Sequence, residues 1–222
     1  QATIEKRKFS EDFKEMLLLI VKPLTLIFII SIFLYVLIEQ SFQTWFPTFY
    51  TAIIYAPASM AVQAGAVLGG AFMIGRFLGG FILNKVKWIY LLSFCLVASA
   101  ILIILVLPLS GNSSTEGLIT WTNAPAVVYL MPLIGLFLAP VYPTINSTIL
   151  SSLPKHMHSS MAGLIVVFSA LGGTTGSIIT GNVFQKYDGA TAFYLSLIPL
   201  TGILISIWIL YAMSKKNTII SE

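Results

Sequence analysis

Charge is scarce in this sequence: charged residues make up 9% of its 222 positions, against ~25% in a soluble globular domain. So few charges cannot cover a water-facing surface, which excludes a soluble fold. Cysteine is scarcer. The single Cys95 excludes an internal disulfide and, inside the apolar run 91–107, reads as a buried, inert thiol. Histidine occurs twice, as His156 and His158, with no Cys or Asp beside them, so both read as solvated loop residues and not as metal ligands. A nucleophile–base pair, a metal-ligand cluster and a phosphate-cradling glycine loop with lysine are missing as well. No enzyme and no organic or metal cofactor is expected. The twelve basic and eight acidic residues leave a net charge of +4. The basic residues stand between apolar runs, without interleaved aromatics, so the expected partner is a lipid bilayer and not nucleic acid.

What the sequence does have is apolar length. Six windows are long enough to cross a hydrocarbon core of ~30 Å: 24–46, 62–83, 89–107, 126–150, 161–183 and 190–213. None alternates apolar and polar residues as a barrel strand does, so six transmembrane α-helices are expected. Lys6, Arg7, Lys8, Lys14 and Lys22 precede the first window. Lys85 and Lys87 follow the second, Lys155 the fourth, and Lys215 and Lys216 the sixth, whereas the opposite loops hold Lys186 with Glu116 and Asp188. The positive-inside rule then puts both termini in the cytoplasm of a multi-pass protein of the inner (plasma) membrane. Residues 1–22 carry Phe9, Phe13, Met16, Leu17 and Ile20 at helical spacing. They read either as an interfacial helix or as a cytoplasmic linker from a preceding domain, the chain being part of a longer protein. Residues 23–213 form the six-helix domain and 214–222 a cytoplasmic tail.

Glycines crowd the second and fifth windows, with small-xxx-small spacing at Gly65/Gly69, Gly75/Gly79 and Gly172/Gly176. Such spacing lets helix backbones approach closely in lipid, and smooth interfaces of this kind can also slide. Pro140 and Pro143 interrupt the fourth window, and each is expected to break or kink its helix beside a polar cavity. Pro47, Pro57, Pro108 and Pro125 read as ordinary helix ends, and Tyr50, Tyr55, Trp88 and Trp121 as members of interfacial aromatic belts. A faint echo between the glycine-rich spans ending at Lys85 and at Lys186 fits two nested three-helix repeats.

Glu39 is the one acidic residue deep in any window. A carboxylate at mid-membrane costs about 3 kcal/mol, so it faces a cavity or a partner. Tyr35, Glu39 and Gln43 recur at i, i+4, i+8 and share a stripe, with Gln40 about 100° further round. This face reads as the lining of a cavity for a small polar solute, or as a protonated structural acid bonded to a neighbouring helix. Asn146, one turn past Tyr142, offers an amide able to grip a polyol, and Tyr142 and Trp45 offer rings for a sugar's apolar face. For Arg76, near the end of the second window, snorkelling to headgroups and a gating role both stay open.

Several of these stretches resemble a known family. Gly75-Arg-Phe-Leu-Gly-Gly-Phe-Ile-Leu-Asn-Lys85 is similar to the signature loop of the major facilitator superfamily, with Asn84 and Val86 in place of its acidic residue and glycine. Phe33-Leu-Tyr-Val-Leu-Ile-Glu-Gln40, Val141-Tyr-Pro-Thr-Ile-Asn-Ser147, and Ser159-Ser160 leading to Gly172-Gly173 resemble its fucose/glucose/galactose permease group. The resemblance implies spans seven to twelve of a twelve-span carrier, with an N-terminal six-helix half as partner. It implies transport of a monosaccharide by alternating access coupled to H+ or Na+. It offers Arg76 a pairing with a helix end or an acid on the gate side, with Pro140 and Pro143 at the conformational break. In that group the coupling acids sit in the N-terminal half, so Glu39 is expected to bind solute before it carries an ion. A carrier for a nucleoside or amino-sugar, and a non-transporting membrane scaffold or sensor, are the competing readings.

Overall fold

The computed structural model describes residue 18, residues 20–110 and residues 119–220, with side chains through Ser214. The expectation for 1–22 falls, apart from residues 18 and 20–22, outside the described residues. The described residues are helical, with six helices long and apolar enough to cross a membrane: Pro23–Ala52, Ala58–Leu83, Trp88–Ser110, Ala126–Ser152, Lys155–Lys186 and Gly189–Ser214. Most run past their apolar windows, because the helix continues through polar and aromatic residues that hydropathy does not credit to a span. The fold is all-α, as expected.

The first three spans are α1 (Pro23–Ala52), α2 (Ala58–Leu83) and α3 (Trp88–Val106). The fourth is built of three pieces: α4 (Ala126–Leu130), α5 (Leu133–Leu138) and α6 (Val141–Ser152). The fifth is α7 (His158–Lys186), and the sixth divides into α8 (Gly189–Tyr194) and α9 (Leu197–Ile220). Helix therefore continues well beyond residue 213. Asp188 caps α8, accepting from the Thr191 hydroxyl at 2.6 Å and the Thr191 N–H at 2.7 Å. These donors, the hydroxyl first, hold its carboxyl below the usual carboxylate range.

Proline explains where the spans break. A proline has no N–H to give to the carbonyl four residues back, and its ring collides with that carbonyl. Pro132 and Pro140 free the carbonyls of Val128 and Leu136 in this way, while the Leu195 carbonyl, denied its bond by Pro199, accepts from the Ile198 N–H at 3.2 Å instead; the gaps fall between α4 and α5, α5 and α6, and α8 and α9. Hydrocarbon offers nothing to a freed carbonyl, so protein must. Tyr50 donates its hydroxyl to the Val128 carbonyl at 2.5 Å. Its side chain is fully buried, which corrects its assignment to an interfacial belt. Pro47 lies inside α1 and is not a helix end. Pro143 occupies the first turn of α6, where a missing N–H is no loss, so the break belongs to Pro140 alone.

α1 is the axis of the bundle, packing on α7, α9, α2 and α6. It buries Phe28, Ile32, Tyr35, Ile38, Phe42, Phe46 and Phe49. Glycine sets its distance from α7: a Cβ at Gly172 or Gly176 would collide with the carbonyl oxygen of Phe33 or of Leu37. Gly75 meets the freed Leu136 carbonyl in the same manner, and a Cβ at Gly79 would stand 2.6 Å from Pro140 Cβ. Two of the three small-xxx-small pairs are thus close backbone crossings. The third is not, since Gly69 has open space around its Cβ position.

These contacts give two expectations. Gly176→Leu forces α7 away from α1 and lowers the melting temperature in detergent by the equivalent of at least ~1–3 kcal/mol, whereas Gly69→Leu leaves it unchanged within error. Tyr50→Phe strands the Val128 carbonyl and costs about 1–3 kcal/mol, measured in the same melts.

Candidate functional site

The first hairpin places the chemistry. Its two arms, α1 and α2, are joined at residues 53–57, so Glu39, 13 residues before Ala52, and Arg76, 18 residues beyond Ala58, stand at comparable heights. At 1.5 Å per residue the difference is only ~7 Å, within reach of an arginine side chain. The Arg76 guanidinium nitrogen Nη2 donates to Glu39 Oε1 at 2.6 Å. Snorkelling to headgroups is not what Arg76 does here. The Gln43 amide, one turn on, donates to the same oxygen at 3.2 Å.

Burial is unequal across the pair. The Glu39 side chain is 12% exposed and Arg76 48%, so the carboxylate is sunk in the bundle and the guanidinium stands at its edge. Arg76 also lies over the Phe72 ring, 5.9 Å from its centroid, which supports a cation above an aromatic face. A lone charge at this depth costs several kcal/mol, so removing either partner would leave the other uncompensated. The site as a whole carries no net charge.

Beneath the pair lies an aromatic layer. Tyr35 is completely buried, and its hydroxyl sits beside Glu39 and Arg76 without a hydrogen bond of full geometry. Its ring contacts that of Tyr142 on α6, centroids 5.7 Å apart, and the Tyr142 hydroxyl is 3.3 Å from Ser169 Oγ on α7. One turn from Tyr142, Asn146 has a buried side-chain oxygen with no partner. On the other side of Arg76 opens a cavity of about 410 Å³. It is lined by Gly79, Pro140, Pro143, Thr144, Ser147, Thr148 and Trp88, besides Arg76 itself. The Thr144 and Thr148 hydroxyls donate to the carbonyls of Pro140 (2.6 Å) and Thr144 (2.8 Å), which leaves their oxygen lone pairs open as acceptors.

The structure therefore brings Tyr35, Glu39, Gln43, Arg76 and Tyr142 into one neighbourhood, with Asn146 a turn away and Pro140 and Pro143 on the adjoining cavity wall. It turns two other residues elsewhere. Trp45 donates its ring N–H to the Ser177 carbonyl at 2.9 Å, covers Gly181 and stacks on Phe184, 5.7 Å between centroids. Gln40 donates to Thr44 Oγ1 at 3.0 Å and rests against Gly173. Both serve the α1–α7 seam. Sequence reasoning offered Arg76 an acid as partner without naming Glu39, and missed Ser169 and the hydroxyls of Thr144, Ser147 and Thr148. Counting residues outward from the hairpin turn would have matched Glu39 with Arg76. The hydroxyl residues gave no signal, because serine and threonine inside an apolar helix ordinarily bond their own backbone.

Six membrane-length helices around a buried polar site define a multi-pass membrane protein. The sequence matches the family model of the Major Facilitator Superfamily over residues 2–177, and the chain belongs to that superfamily. No curated protein and no solved structure matches the chain.

The ion pair predicts strong coupling between its partners. Arg76→Met and Glu39→Leu each destabilise the protein in detergent melts, because each strands the other's charge. The double variant recovers at least ~1 kcal/mol relative to the sum of the two. Additivity of the two losses would contradict the pair.

Proposed function

We propose that the chain is the C-terminal six-helix domain of a secondary active transporter that moves a small polar solute, a monosaccharide, by cation-coupled alternating access. Its partner is an N-terminal six-helix half, and the two rock about a site at mid-membrane. One observation carries the choice of a neutral, hydroxyl-rich solute. The mid-span site offers strong donors (Arg76, Gln43), strong acceptors (Glu39, the open Asn146 oxygen) and tyrosine rings, yet has no net charge. A charged solute would leave an uncompensated charge in that setting, whereas a polyol exchanges hydroxyl bonds with both members of the pair. On this reading Glu39, Gln43, Tyr35, Tyr142 and Asn146 contact the solute. Pro140 and Pro143, beside Arg76 and the glycine seam of α2, form the flexible wall. The basic loops support placing both termini in the cytoplasm of the plasma membrane.

The test is counterflow of labelled hexoses into proteoliposomes holding the chain joined to its N-terminal half. Uptake is expected for the unaltered protein, with at least a tenfold loss for Glu39→Ala. Undiminished uptake by Glu39→Ala would remove Glu39 from the solute site, and absence of uptake for every hexose would remove the sugar.

A further inference from the structure

We propose that the groove between α2, α3 and the fourth span binds an anionic phospholipid, one acyl chain lying in the groove and the phosphate resting on Lys85 and Lys87. The proposal requires only a chain set in a bilayer and stands whatever the solute.

The first ground is the groove itself. α2 and α3 follow one another through a short turn, yet they hardly touch, because both lean on α5 instead. The space left between them measures about 340 Å³, within the ~300–1,000 Å³ of ordinary ligand sites. Leu78 and Ile82 form one wall and Tyr90 and Phe94 the other, all four exposed. Phe137 and Pro140 make the floor, with the Phe94 and Phe137 rings edge to face at 5.9 Å between centroids. Gly75 and Cys95 are the lining residues furthest from the turn. An apolar space left empty forfeits the dispersion contacts of its whole lining, and a bilayer has hydrocarbon at hand to fill it.

The second ground is depth. Gly75 lies ten residues before Lys85, so the groove reaches ~15 Å inward at 1.5 Å per residue. That is half of a hydrocarbon core of ~30 Å, the depth of one leaflet. A lipid of the leaflet that meets the turn therefore fills the groove from end to end.

The third ground is the charge at the mouth. Val86 lines the groove there and is flanked by Lys85 and Lys87, both exposed. Neither has an ion pair among the described residues, whose two acids are committed elsewhere: Glu39 to Arg76, and Asp188 to the cap of α8 at the other end of the bundle. A phosphate diester at the turn supplies the missing counter-charge. A zwitterionic headgroup brings an ammonium of its own and supplies none.

The position also gives such a lipid something to hold. Gly79 and Pro140 line both this groove and the cavity beside Arg76, so their close contact is the partition between the two. A chain seated in the groove backs that contact from the lipid side and keeps α2 against the break in the fourth span.

Photo-crosslinking tests the site directly. The full chain is placed in phosphatidylcholine liposomes doped with phosphatidylglycerol that carries a diazirine midway along one acyl chain, and the labelled residues are mapped. Labels are expected on Leu78, Ile82, Phe94 and Cys95, at least ~5-fold above those from phosphatidylcholine bearing the same diazirine at the same dose. Replacing both lysines (Lys85→Gln with Lys87→Gln) lowers the phosphatidylglycerol labels to the phosphatidylcholine level, while the melting temperature in pure phosphatidylcholine stays unchanged. Ile82→Trp fills the groove from an exposed position, keeps both lysines and removes the label from Cys95. Equal labelling by the two lipids would reduce the groove to ordinary lipid-facing surface and overturn the proposal. Phosphatidylglycerol labels that survive the loss of both lysines, or a Cys95 label that survives Ile82→Trp, would overturn it as well.

Discussion

Inside hydrocarbon every backbone carbonyl must find its partner within the protein, and the architecture follows from how that demand is met. α1 is the element around which the helices close. Gly172 and Gly176 of α7 lie against its Phe33 and Leu37 carbonyls. Its Tyr50 closes the gap left by Pro132 at Val128. Contacts between glycine backbone and carbonyl oxygen are weak one by one, but they draw helices close enough for dispersion to hold them without any hydrophobic drive. A bundle so tied around one helix holds Tyr35 and Glu39 of that helix at fixed depth.

The ion pair depends on this arrangement in turn. Glu39 tolerates its depth because Arg76 meets it from α2, and α2 is in place because Gly75 and Gly79 let it lie against the broken fourth span. The residues that break the fourth span therefore also serve the site. Pro140 packs on Gly79, frees the Leu136 carbonyl that Gly75 approaches, and lines the cavity beside Arg76. The break in the fourth span and the cation that pairs with Glu39 thus share one wall. Such a link is what a carrier needs between solute binding and a change of access.

Much of this was legible in the sequence. Length and hydropathy sufficed for six spans, and the insertion cost of a carboxylate marked Glu39. The crossings at Gly75/Gly79 and Gly172/Gly176 were among the pairs that residue spacing offered. Other features depend on which surfaces meet. Gly69 shares its spacing with those pairs yet faces open space, since nothing local tells a packed stripe from an open one. Pro47 looked like a helix end but is carried within α1, because a proline in lipid is tolerated wherever neighbours enclose it. Pro132 and Pro199 break spans from inside apolar runs where proline drew no notice. Trp45 and Gln40 lie near Glu39 in the sequence, yet the turn of the helix commits them to α7.

The central claim is that the neutral cluster around Glu39 and Arg76 is where solute binds. It is tested most directly by protection of Gln43→Cys, in a Cys95→Ser background, from a thiol reagent. Labelling of the chain joined to its N-terminal half is expected to slow several-fold in the presence of a hexose such as glucose, galactose or fucose, and to be unaffected by the same concentration of a carboxylic acid. Equal labelling rates with and without every hexose, in protein that still transports one of them, would contradict the account.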